Sequence, residues 1–184
     1  MERLLPLTYE EMNERQQAIW EEIKSGPRGP SAHGPFLAWL QSPDLADRAQ
    51  KLGEYLRFGA QMDKRLAELA ILTVARNWTA QFEWFAHKTF AIEAGLPEAV
   101  IDSIEQREQP DFTKEDEAAI YNFSIELQQN QNVSDATFAE AVRHIGRIGV
   151  TDLVGLLGYY TLVSMTLNVY QIPLPDSQDL PLRP

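Results

Sequence analysis

The sequence predicts an all-α protein. Three observations carry that prediction. Apolar residues recur at helical spacing along nearly the whole chain, capping residues stand where those runs begin, and no stretch alternates with the two-residue period of a strand. With 184 residues, 44% of them apolar, the chain is long enough to bury a real core as a single domain spanning 1–184.

The elements follow in order. Thr8-x-x-Glu11 spells a capping box, so the first helix is expected from Thr8. It carries Met12, Ile19 and Ile23 and ends near Ser25. SGPRGPSAHGPF follows, a run whose prolines and glycines exclude regular structure and whose length suits a functional loop. A short apolar piece, FLAWL, closes an N-terminal helical extension of about 1–42. Ser42-Pro43 opens the next helix as cap and first-turn proline, and that helix runs to about Phe58.

Residues 63–79 and 80–94 read as two neighbouring helices, the second closed by Gly95 with Pro97 beyond. A shorter helix covers about 97–106. Thr113 is expected to cap a helix with Ile120, Phe123 and Leu127 on one stripe. Ser134 caps another that reaches Ile145. The last long helix, roughly 149–170, is apolar almost all round, which suits the centre of the fold or a contact between subunits. The tail from about 172 to 184, with four prolines, is expected to be extended.

Bulk properties remove several functions. The chain has 16 basic and 27 acidic residues, a net charge of −11, so its surface repels a phosphate backbone and nucleic-acid binding is not expected. It has no cysteine, which excludes disulfides, thiolate metal sites and thiol redox cycles, and fits a cytoplasmic protein. MERLLPLTYEEMNERQ lacks the pattern of a signal peptide. Between Asp152 and Asp176 there is no charged residue, over a length that could span a bilayer, but the Thr, Ser, Asn, Gln and Pro residues there favour burial in protein over membrane. Phosphate-loop, dinucleotide and serine-elbow motifs are absent.

The candidate chemistry sits in two adjacent helices. Glu83 and His87, four apart in QFEWFAHKTF, share a helix face. Glu68 lies fifteen residues before Glu83, and its helical line continues through Ile71, Leu72 and Ala75. Two carboxylates and an imidazole in a dry place can move protons near neutral pH. On an exposed helix the same residues would be ordinary ion pairs, Glu83 with His87 and Glu68 with Lys64 or Arg65. The spacing is not His-Glu-x-x-His, so no metal is assigned. Arg76, Arg57, Trp84 and His33 are candidates for substrate contact, with Lys88 a further cation nearby, whereas His144 at a helix end reads as structural.

The stretch from Arg65 to Leu96 resembles the carboxymuconolactone decarboxylase family, also called AhpD-like, with a weaker likeness over GPFLAWLQSPDLADRAQKLGEYLRFG and the final helix. The thiol peroxidase branch of that family carries Glu-x11-Cys-x2-Cys-x3-His. Here those positions read Glu68, Ala80, Glu83 and His87, so peroxidase chemistry by that route is excluded. The cysteine-less decarboxylase branch is the closer likeness, with Glu-x3-His in this helix and a Glu fifteen residues before it. The resemblance implies an AhpD-like helical bundle in which a helical hairpin carries Glu68, Glu83 and His87. It also implies a homo-oligomer, trimer or hexamer, and cofactor-independent lyase action on a small unsaturated lactone or carboxylate. The alternative is a non-catalytic helical oligomer of the same fold that binds a small ligand or a protein partner.

Overall fold

A computed structural model describes residues 3–4, 7–29, 34–175 and 180–183. The fold is all-α, with no strand among the described residues. Its helices are α1 (Glu14–Ser25), α2 (Phe36–Trp39), α3 (Pro43–Glu54), α4 (Lys64–Asn77), α5 (Gln81–Glu93), α6 (Glu98–Gln106), α7 (Glu115–Asn130) and α8 (Asp135–Tyr170). A 3₁₀ turn precedes α1 at Tyr9–Glu11, and a π-helical turn, Tyr55–Gly59, continues α3.

The centre is α4. Leu66 and every residue from Leu69 to Arg76 are buried, because α5, α7 and α8 all pack against this helix. Its start is held twice. The Asp63 carboxylate accepts the Arg65 backbone N–H at 2.8 Å, and the Arg65 guanidinium grips Asp116 and Glu117 at the start of α7. One apolar core runs from Met12 to Leu182 and includes Ile19, Ile23, Trp39 and Leu40. The N-terminal segment is therefore built into the body of the fold. Gln16 donates to the Leu40 carbonyl at 2.8 Å, and the Trp39 indole N–H reaches Thr166 on α8 at 2.9 Å.

Three helix starts differ from expectation. The chain does not run helically from Thr8. The Thr8 N–H donates to Glu11 around a single 3₁₀ turn, Met12 is extended, and α1 begins anew at Asn13, whose side chain accepts the Gln16 N–H. Helix α7 starts at Glu115 behind Lys114 without a side-chain cap, so Thr113 is not its cap. Ser42 makes no capping bond, and Pro43 alone marks the start of α3. Ser134 caps α8 as expected, accepting from the Thr137 N–H at 3.2 Å.

Helix α8 is broken at Gly146, where φ is 68° and ψ is 173°, so two helices meet there, close to the gap expected between Ile145 and 149. Its best window has a mean hydropathy of 1.4 and half of that window is buried, a composition shared by core helices and membrane spans. Of the tail, residues 172–174 and 180–183 are non-helical, and Leu182 is buried. Gln81 clasps Leu182 through both its N–H and its carbonyl at 2.8 Å each.

Candidate active site

The site begins with the hairpin of α4 and α5. Ala80 N–H closes the turn onto the Ala75 carbonyl at 2.8 Å, with Thr79 at a positive φ of 47°. From there α5 projects Glu83 and His87 inward one turn apart, and both are buried. Opposite them α4 projects Glu68. The His87 imidazole lies between the two acids. Its Nδ1 is 2.5 Å from Glu68 and its Nε2 is 2.9 Å from Glu83. Arg65, the surface partner the sequence offered for Glu68, is engaged with α7 instead.

Burial by itself would lower the pKa of His87. The Glu68 and Glu83 charges and their hydrogen bonds outweigh that cost and raise it from 6.5 to about 9. At neutral pH the ring is therefore an imidazolium donating from both nitrogens. Its two carboxylates flank opposite ring nitrogens, which leaves neither nitrogen a free lone pair for a metal. Among the described residues no group of three His, Asp or Glu side chains is arranged to hold one.

Two cavities adjoin this array. The first, of about 250 Å³, is lined by Glu83 and His87 together with Phe82, Phe90 and Tyr160. Arg28 and Phe36, from the glycine–proline loop and α2, complete its wall, so this loop reaches the site. The second, of about 390 Å³, lies on the Glu68 side, against Ile71, Glu93 and Leu156. Arg57 and Phe90 line both. Arg57 is carried by the π-helical turn, where the Ala60 N–H reaches back five residues to the Tyr55 carbonyl at 2.7 Å. Such turns recur at functional sites because the extra residue per turn re-aims a side chain.

Aromatic groups hold the imidazole in place. The rings of Phe90 and Tyr160 meet it edge-on, with centroids at 5.6 and 5.1 Å. Burial raises the Tyr160 phenol well above its ordinary 10, so it stays neutral. Burial likewise raises Tyr159 to about 12, with Arg28 opposing the shift.

The structure divides the sequence candidates. Glu68, Glu83 and His87 come together, and Arg57 joins them at the cavity wall. Arg76 does not line the cavity. Its guanidinium is spent on the backbone carbonyls of Glu105 at 2.8 Å and Arg183 at 3.0 Å, so it ties α4 to α6 and the tail. Trp84 is also corrected. It is fully buried on the core side of α5 and does not border the cavity. His33 lies outside the described residues. Lys88 turns away to Glu105 at 2.9 Å. His144 is half-buried beside Glu140, remote from the array. Sequence reasoning missed Arg28, Tyr159 and Tyr160. A lone cation in GPRGP and a tyrosine pair inside an otherwise apolar helix were the available signals.

No protein-family model and no curated protein matches this chain.

Proposed function

We propose that the protein is a cofactor-independent lyase acting on a small unsaturated lactone or carboxylate, as its resemblance to the cysteine-less carboxymuconolactone decarboxylases implies. The observation that carries this reading is a buried, doubly hydrogen-bonded imidazolium that borders an open cavity. A purely structural Glu–His–Glu network would be sealed from solvent, whereas Glu83 and His87 both border the cavity.

In this reading the bond from the reacting carbon to its carboxylate breaks, CO₂ leaves, and the electron pair passes into the conjugated lactone. A carbon of that delocalised system then takes one proton. His87 donates that proton and Glu83 is the partner that orients its Nε2–H; Glu68 holds Nδ1–H and is the second acid–base group. Water recharges the imidazole, so one proton is consumed for each CO₂ released. Arg57 faces the substrate, the assembly is a homo-oligomer of three or six copies, and the setting is cytoplasmic, with no nucleic-acid or membrane partner.

The test is release of CO₂ from carboxymuconolactone by wild type and His87→Ala. The expected loss in kcat is about a hundredfold or more, the usual contribution of a general acid. Equal rates would remove His87 from the mechanism.

A further inference from the structure

We propose that Arg28 and Arg57 together form a carboxylate anchor in the first cavity, so that its ligand is a small acid held by its anionic end with its unsaturated body over Glu83 and His87. This deepens the lyase reading and rests on it for the chemistry at the other end of the cavity. The anchor itself is read by binding alone.

Three observations support it. The Arg28 side chain is only 5% exposed, yet its Nη1 is buried without a hydrogen-bond acceptor among the described residues. Its Nη2 donates to the Gln50 carbonyl at 2.9 Å, and the nearest carboxylate to Nη1, the partly exposed Glu54, stands at 3.7 Å, beyond hydrogen-bond reach. A buried guanidinium N–H without an acceptor is costly, and an incoming carboxylate removes that cost. Second, Arg57 has no hydrogen-bond or ion-pair partner among the described residues. Its guanidinium lies over the rings of Phe58 and Phe90, at 5.1 and 5.2 Å from their centroids. These two cation–π contacts hold the guanidinium beside the cavity, and its N–H groups are available to an anion.

The third observation is that the fold makes room for Arg28. A Cβ on Gly53 of α3 would stand 2.1 Å from the Tyr159 hydroxyl and 2.8 Å from Arg28 Nη2. Only glycine lets both side chains lie against that helix. The Arg28 guanidinium also lies 5.3 Å from the centroid of the Phe36 ring, another wall of the cavity. The remaining walls are apolar, with Phe82, Phe90 and Val163, so the body of the ligand is apolar and flat. A volume of about 250 Å³ admits an acid the size of benzoate.

The experiment is calorimetric titration of the full chain with benzoate and with its neutral isostere benzamide. Benzoate is expected to bind more tightly than benzamide. Arg28→Gln and Arg57→Gln should each weaken benzoate by about ten- to a hundredfold, the range of one charge-assisted hydrogen bond, while changing benzamide little. Equal affinity for acid and amide, no binding of benzoate, or benzoate affinity unchanged in Arg28→Gln overturns the proposal. Should Arg28→Gln fail to fold, Arg57→Gln carries the comparison, because Arg57 is held by ring contacts and has no hydrogen-bond partner among the described residues. Arg28-dependent benzoate binding without turnover of carboxymuconolactone sinks the lyase reading and leaves the anchor standing. Turnover with an unchanged KM in Arg28→Gln does the reverse.

Discussion

His87 is the residue on which the proposed chemistry and the stability of this protein meet. Its pKa rises from 6.5 to about 9 on folding because two carboxylates hold the charged ring against its burial. The folded state therefore retains a proton that the unfolded chain releases first. That contribution is complete below about pH 6.5 and disappears as pH rises through about 9. Urea denaturation at pH 6, 7.5 and 9.5 should show stability falling along that series by roughly 3 kcal/mol, and His87→Gln should flatten the slope. A slope unchanged by that substitution would mean the ring is not charged in the folded protein. Removing one acid changes the balance in the other direction. In Glu68→Gln the desolvated ring keeps only one anionic partner, so its pKa should fall below the wild-type value of about 9 in an NMR titration, and the loss of activity with rising pH should begin at lower pH than in wild type. These residues were legible in the sequence because a four-residue spacing puts Glu83 and His87 on one face. Arg28 was not, since a cation in a loop has no periodicity to say which way it faces, and only the packing of α3 against Tyr159 reveals its burial.

At the scale of elements, legibility followed the strength of local signals. Gly95 ends α5 and Ser134 starts α8 as their local chemistry dictates. The first helix shows the limit. Thr8-x-x-Glu11 and Asn13-x-x-Gln16 both spell capping boxes five residues apart, and both form, so the chain makes two short starts where periodicity alone suggests one. The π-helical turn at 55–59 had no local signature, because the register change is imposed by packing Leu56 inward while Arg57 faces the cavities. Two glycines separate backbone demands from space demands. Gly146 occupies a region of φ and ψ open almost only to glycine, and a Cβ there would meet nothing within 4 Å. Gly146→Ala should therefore cost about 1–3 kcal/mol of stability by backbone strain alone, without altering ligand binding. Gly53 has ordinary helical geometry but no space. Gly53→Ala should cost a similar 1–3 kcal/mol through overpacking and, unlike Gly146→Ala, also weaken benzoate. Thermal melts and calorimetry on the two variants distinguish these causes.

For the whole molecule, the long last helix faces two ways. Its inner side, including Leu153, Leu157, Tyr160 and Leu167, is buried, and the Tyr160 ring meets His87 edge-on. Its outer side carries Ile148 at 75% exposure, Val154 at 49%, Met165 at 39% and Val169 at 58%, with Thr151 and Gly158 between them and no charge from Ile148 onward along that stripe. Such a face on an otherwise acidic protein leaves apolar surface in water that a second copy would cover. The sequence already pointed to this helix through its lack of charge, but periodicity could not say which side would remain uncovered. Light scattering should give a mass that is three or six times the 20.9 kDa of one chain. Gly158 offers the sharper test, because a Cβ there meets nothing within 4 Å and the protomer has room for a long side chain. In a helix interior arginine is also a better residue than glycine by about 0.8 kcal/mol. Gly158→Arg should therefore leave the melting temperature of the protomer unchanged or higher while reducing the mass to that of one chain, since a buried unpaired guanidinium is strongly unfavourable in an apolar interface. A variant that retains the wild-type mass would place any subunit contact elsewhere on the surface.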